Sequence, residues 1–445
     1  MVARKNELKE VYDMRKLTVG LFNDSFPPII DGVANAVVNY ATVISRDLGK
    51  VVVATPKYPK VDEKEYGFEV IRYKSAMMGK RIGYRAGNPF DPLLITKLEK
   101  KKIDIIHTHC PFISGVLARV VRYYTGAPIV FTYHTKFDID INKRVKYGTV
   151  RKVSTKFILN NINACDEVWV VSQGAGENLK SLGYTGEYVV MRNGTDFKPG
   201  RASDEEIKAL KEEYGVKDDE TIFLFVGRMM WYKGVKLSID GLKLAKESNS
   251  KFKMFFVGDG FDKEDIMNYV KENGLEDNCI FTGAVRDREK LRTFFSMADL
   301  FLFPSDYDTN GIVVTEAAAC SCPSLLLRGS CAAEGIVNYK NGIIIDNKAK
   351  ELAKVALDVM NDREKMKVIG ENALKDIYLS WDDAVKTAYQ RYEVIVKNHK
   401  VQDYTMPTGE MLLKQVRGAK SRYNKTKLKL KRKVKKGIAN IFPKV

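Results

Sequence analysis

Cysteine and histidine are scarce in this chain. Six cysteines stand among 445 residues (Cys110, Cys165, Cys279, Cys320, Cys322 and Cys331), and none forms a Cys-x-x-Cys pair. That pattern excludes a disulfide scaffold and the ligand spacing of a structural zinc site. The expected state is reduced thiols in a cytosolic protein, with no bound metal. No apolar run reaches the roughly eighteen residues of a membrane-spanning helix. The first residues, MVARKNELKEVYDMRK, are charged and lack the apolar centre of a signal peptide, so a cytoplasmic location is expected. Acids are outnumbered, 56 Asp and Glu against 74 Lys and Arg, and the net charge of +18 calls for a polyanionic partner or surface.

What is present is globular. A hydrophobic content of 45% with 10% aromatics supports packed cores, and the length calls for two of them. Short apolar runs alternate with helical patterns throughout. Leu17 to Phe22, Val51 to Thr55, Asp104 to His109, Pro128 to His134, Glu167 to Ser172 and Tyr188 to Asn193 read as buried strands. Helical stretches such as Val116 to Tyr124 lie between them, which is the β-α-β alternation of a parallel, doubly wound sheet. Asn193 to Glu206 is rich in turn formers and reads as a linker. A second series follows at Ile222 to Gly227, Lys253 to Gly258, Cys279 to Gly283, Asp299 to Ser305, Ser324 to Gly329 and Gly342 to Asp346. The expectation is an α/β protein of two Rossmann-like domains, 1–196 and 197–380, with a ligand cleft between the carboxyl ends of their strands. From 401 to 445 the chain holds thirteen Lys or Arg against two acids. Leu412, Val416, Ala419, Tyr423, Leu430, Val434, Ile438 and Ile441 recur there at near-helical spacing, which suits a basic amphipathic helix on an anionic surface.

The chemistry concentrates at PSDYDTNGIVVTEAAACSCP, Pro304 to Pro323. A strand ends before it, and a helix is expected to begin near Asn310. The first N–H groups of a helix are unpaired and its dipole is positive there. Gly311 lets an anion approach the backbone of Ile312 and Val313, a fitting place for phosphate. Glu316 then lies within reach of ribose hydroxyls, and Asp308 lies near whatever the far phosphate carries. The plainer alternative makes Asp308 a helix cap and Glu316 a surface acid. Arg228 and Lys233, five apart in FVGRMMWYKG, sit at a strand-to-helix turn where a diphosphate needs neutralising; otherwise they form a solvated basic turn. Gly32 occupies another such turn, in FPPIIDGVANAVVNY. His107, His109 and His134 follow strands of the first domain, where side chains are expected to face the cleft.

This combination resembles the glycosyltransferase family 4 enzymes of the GT-B fold, from about Leu17 to Val396. The paired-acid motif appears as Asp308-x7-Glu316 and the G-R-x4-K-G motif as Gly227-Arg228 with Lys233-Gly234. VGDG (Val257 to Gly260), GSCAAEGI (Gly329 to Ile336) and Asn341-Gly342 complete the pattern. The helix after Trp381, within 381–400, resembles the family's terminal helix that crosses back to the first domain.

The resemblance implies transfer of a sugar from a nucleotide donor with retention at the anomeric carbon, without cofactor or metal. It implies that Arg228 and Lys233 bind the diphosphate, assisted by backbone at Gly311 to Val313. Glu316 would hold the ribose, Asp308 and His134 would lie at the donor sugar, Gly32 near the phosphates, and Asn310 within the donor site. Two positions depart from the family: Asp308 stands where glutamate is usual, and Asn310 where phenylalanine is common. UDP-glucose is the expected donor on family frequency alone. Several members glycosylate diacylglycerol or other membrane lipids, so the expectation is a lipid acceptor and a peripheral position on the inner face of the cell membrane, held through 401–445. His109 and Lys136, the latter in the apolar-basic stretch Phe131 to Arg144, are acceptor-side candidates. A soluble glycan, a polyprenyl-linked sugar or a protein acceptor, and an inactive membrane-bound partner subunit, stay open. Nucleic acid is not expected, because the tail offers only Tyr404, Tyr423 and Phe442 for base stacking.

Overall fold

A computed structural model describes residues 16–29, 31–59, 61, 66–77, 85–137 and 148–407. The first sheet contains β1 (Thr18–Phe22), β2 (Lys50–Pro56), β3 (Glu69–Tyr73), β6 (Ile105–Thr108), β7 (Ile129–Tyr133), β8 (Glu167–Val170) and β9 (Val189–Val190). A small antiparallel hairpin, β4 (Ser75–Met77) and β5 (Arg85–Gly87), stands apart from it. The second sheet contains β10 (Thr221–Val226), β11 (Phe252–Val257), β12 (Cys279–Gly283), β13 (Leu300–Leu302), β14 (Ser324–Leu327) and β15 (Ile343–Ile345). Strand order is β3-β2-β1-β6-β7-β8-β9 in one and β12-β11-β10-β13-β14-β15 in the other. All pairings within these two sheets are parallel. The α/β architecture of two Rossmann-like domains is therefore as the alternation predicts. The order reverses between β1 and β6 and between β10 and β13, and ligands bind outside the carboxyl ends of strands at such points.

These strands read as unbroken apolar runs because helices cover both faces of a parallel sheet. Phe223, Phe225, Phe252, Phe255, Phe256 and Phe294 are fully buried in the second domain, which has the larger continuous core. The run predicted at Tyr188 to Asn193 keeps strand pairing only at Val189–Val190. Beyond it the chain turns toward the second domain.

Two crossings join the domains, and they lie side by side. Thr195 N–H donates to Leu379 O at 2.9 Å, and Trp381 N–H donates to Thr195 O at 3.1 Å. Gly194 permits this approach, since a Cβ there would stand 2.5 Å from the Ser380 backbone. Ser380 caps the helix Trp381–Asn398 by accepting from Asp383 N–H. That helix covers the first sheet. The Tyr389 hydroxyl accepts from Leu17 N–H at 2.8 Å, and Tyr392 stacks on Trp169 with centroids 5.2 Å apart. The following residues stay on the first domain: His399 Nε2 bonds the Gly126 carbonyl at 2.9 Å, and Arg122 lies over the Tyr404 ring at 4.3 Å. The basic stripe expected from Leu412 to Ile441 lies outside the described residues. Among the described residues no helix is long and apolar enough to cross a membrane.

Candidate active site

The helix Ile312–Ala319 begins where the loop after β13 ends. Its cap is Gly311 at φ 64°, a left-handed conformation that glycine adopts without strain, and no side chain caps it. A Cβ on Gly311 would also stand 2.9 Å from Ala332 Cβ. Asp308 is therefore not the helix cap of the plainer reading. Its carboxylate accepts from Lys233 Nζ and from Ser305 Oγ, the latter at 2.7 Å. Asn310 lies half-buried between Asp308 and the cap, and Ile312 and Val313 form the first turn.

Lys233 is not a solvated turn residue either. It is 9% exposed, at the end of a short 3-10 turn, with Tyr232 and Phe303 rings each 5.6 Å from its ammonium. Gly234, at φ 78°, brings this turn against the Pro304 carbonyl, so Lys233 and the loop bearing Asp308 are held together by backbone packing. Arg228, after β10, is exposed.

Glu316 is buried at 7% exposure, which rules out a surface acid. Burial pushes its carboxyl above the ordinary value, and the Arg288 guanidinium opposes that rise. Arg288 Nη2 donates to Glu316 Oε1 at 2.7 Å. Sequence reasoning missed Arg288, which sits 28 residues earlier on a different helix.

Across the cleft, His134 follows β7 and is 8% exposed. Its Nε2 bonds His109 Nδ1 at 2.9 Å, so His109 stands behind it, 2% exposed, rather than at the surface. Burial lowers both rings, His134 to about 4 and His109 well below the ordinary value. Both are neutral imidazoles near pH 7. His107 corrects the expectation that all three face the cleft. It lies inside β6, wholly buried between the Tyr392 hydroxyl and Thr132 Oγ1. Position 107 lies within the strand, under the terminal helix, whereas His109 follows two positions on, past the end of the strand. Gly32 opens the helix Gly32–Val43, is exposed, and a Cβ there would meet nothing within 4 Å. The fold does not require glycine at that point.

The domains touch at the strand ends. Thr309 Oγ1 donates to the His134 carbonyl at 2.6 Å, Ser172 Oγ donates to the Thr309 carbonyl, and Lys136 Nζ donates to the Asp306 carbonyl at 3.2 Å. Glu334 accepts from the Gln173 and Gly174 N–H groups at 2.7 and 2.6 Å, placing its charge at the amino end of the helix Gln173–Ser181. The loop carrying Asp308 is thus bonded to the loop carrying His134, and Lys233 and the Gly311 helix end adjoin that same loop. The stretch at 138–147 lies outside the described residues. Among the described residues no group of three His, Cys, Asp or Glu is placed to hold a metal ion.

Residues 206–376 match the family profile described as glycosyl transferases group 1, and residues 30–198 the one described as glycosyltransferase family 4. The chain is a glycosyltransferase. Among relatives, the transferase is 25% identical over 402 residues to the alpha-monoglucosyldiacylglycerol synthase of Acholeplasma laidlawii, covering 86% of this chain and 99% of that one. The enzyme of the same name from Streptococcus pneumoniae is 24% identical over 315 residues, 69% of this chain and 70% of that one. The transferase shares its GT-B fold with the solved structure of Anabaena HepE in complex with UDP. The two superpose with a TM-score of 0.69 at 18% identity, over 86% of this chain and 100% of the other.

Proposed function

We propose that the protein is a retaining hexosyltransferase that moves glucose from UDP-glucose to a membrane lipid such as diacylglycerol. The observation that carries the donor half is the position of Lys233. It is a buried cation packed against the loop that leads to the Gly311 helix end, with Glu316 in the second turn of that helix. Departure of a nucleoside diphosphate builds negative charge on its terminal phosphate. Lys233 and the N–H groups after Gly311 are fixed donors for that charge, and fixed donors need no reorganisation as the charge forms; Arg228 adds an exposed cation. His134, neutral at the working pH, contacts the donor sugar as a hydrogen-bonding group rather than as an acid. The departing phosphate itself takes the acceptor proton on the same face, which gives retention and assigns no protein base.

The lipid half rests on the Acholeplasma relative, matched along nearly its whole length, and on the basic residues of 401–445. Each basic residue close to an anionic leaflet contributes about 1 kcal/mol. The chain enters that stretch from the first domain, where residues 399–404 are seated.

The test is nucleoside diphosphate release from UDP-glucose, with and without anionic vesicles carrying diacylglycerol, with Glu316→Ala as blank. Release that rises sharply with those vesicles and is lost in the variant is expected. Release indifferent to vesicles would move the acceptor to a soluble glycan, a polyprenyl-linked sugar or a protein. An intact protein indistinguishable from the variant on every nucleotide sugar would make the chain an inactive partner subunit.

A further inference from the structure

Glu316 is the carboxylate proposed to hold the ribose, and its position is set by a residue from another part of the chain. Arg288 opens the helix Arg288–Met297 and is fixed from three sides. Its Nε donates to Asp196 Oδ2 at 3.1 Å and its Nη2 to Asp196 Oδ1, forming a two-bond fork. The same Nη2 reaches Glu316 Oε1 at 2.7 Å. The guanidinium carbon lies 4.2 Å from the centroid of the Phe197 ring, a cation–π contact. The fork, the ring and the Glu316 bond together leave the guanidinium one orientation.

This arrangement divides the work of the Glu316 carboxylate. Oε1 is committed to Arg288, while Oε2 receives no hydrogen bond among the described residues and is not sealed from solvent. A carboxylate buried to this degree disfavours its charge unless a cation is near. Arg288 supplies that cation, and its bond is to Oε1. Asp196 and Phe197 directly follow Thr195, the residue that pairs with the second interdomain crossing. The clamp is therefore anchored to the crossing rather than to the helix that bears Glu316.

We infer that Arg288 is a positioning residue that holds Glu316 ionised and turned to receive the ribose hydroxyls of the donor, with Asp196 and Phe197 as its anchor. This rests on the nucleotide-sugar reading above. Arg288 does not itself contact the diphosphate in this account. Its loss should therefore be felt only by ligands that carry ribose hydroxyls.

The experiment is calorimetric binding of UDP and of 2′,3′-dideoxy-UDP to the full-length protein and to Arg288→Met, Arg288→Lys and Asp196→Asn. Wild type is expected to prefer UDP. Arg288→Met is expected to bind UDP about tenfold more weakly, the scale of one charged hydrogen bond, and dideoxy-UDP as wild type does. Arg288→Lys keeps the charge and loses the fork, so part of the ribose preference should return. Asp196→Asn should show a smaller loss of the same ribose-dependent kind. The Arg288 side chain is 41% exposed, so its truncation leaves the core filled, and an unchanged melting temperature would check this. Equal weakening of both ligands by Arg288→Met, or of neither, overturns the role while leaving the donor reading intact. A wild type that binds UDP without ribose preference overturns the role through Glu316. A wild type that does not bind UDP overturns the donor reading and this role together.

Discussion

The ammonium of Lys233 is bonded to the carboxylate of Asp308, and Ser305 holds that carboxylate from its other oxygen. The shorter acid at position 308 thus reaches the cation rather than standing clear of it. A donor diphosphate and Asp308 would share one lysine. Lys233→Met is expected to lower nucleoside diphosphate release by about 10²–10³-fold, the usual scale for one preorganised charge at a leaving group. Lys233→Arg should recover part of it. A change of only a few-fold in Lys233→Met would place the diphosphate elsewhere.

Glycine is required at one turn of the site and not at the other. Gly311→Ala meets both a left-handed backbone and the Ala332 Cβ, so it should destabilise the fold by about 1–3 kcal/mol as well as weaken nucleotide binding. Gly32→Ala meets neither obstacle, and denaturant unfolding should match wild type. Any loss of donor affinity in Gly32→Ala then reports a ligand close to that backbone. An unfolding midpoint that falls in Gly32→Ala would contradict the open space seen there.

Glu334 places a negative charge on the amino end of a helix in the other domain. Glu334→Gln keeps the shape and loses the charge, at a cost of about 1 kcal/mol to the domain contact. Glu334→Ala loses the hydrogen bonds as well. Small-angle scattering should report a larger radius of gyration in Glu334→Ala than in wild type. Identical scattering curves would mean that the contacts of Thr309, Ser172 and Lys136 close the domains unaided.

Acid should destabilise the first domain through its histidines. His134 is held at about 4 and its unfolded value is near 6.5, so unfolding takes up a proton between those limits. Stability is full above pH 6.5 and falls as pH drops, by about 2 kcal/mol at pH 5 for His134 alone. His107 and His109 act in the same sense. Asp24 opposes them. Burial raises its carboxyl to about 6, despite bonds from the Ile113 and Ser114 N–H groups, so its charge costs stability as pH rises from about 4 to 6. Urea unfolding at pH 5 and 7 should show a steeper acid loss in Asp24→Asn than in wild type. Parallel profiles would count against a buried neutral Asp24.

Both sheets were legible in the sequence because a strand covered on two faces must be apolar along its length. The buried Glu316 and the Lys233–Asp308 pair stand out in the sequence because they occupy fixed places after strands. His107 was misread because a strand's interior and its end differ by two positions on the same face, and only the packed Trp381–Asn398 helix tells them apart. Arg288 and Glu334 were not legible at all. Each meets its partner across a separation that leaves no periodic signal, 28 residues for Arg288 with Glu316 and 160 for Glu334 with Gly174.

The paired crossings at Thr195 and Trp381 make the second domain a cassette. The described residues of 17–195 and 381–407 build one body, and the cassette enters and leaves it through two adjacent chain segments whose backbones are bonded to each other. A short turn in place of the cassette would leave the first sheet and its covering helix contiguous. The corresponding domain of another such protein could be spliced in at the same two points without asking the host body to refold.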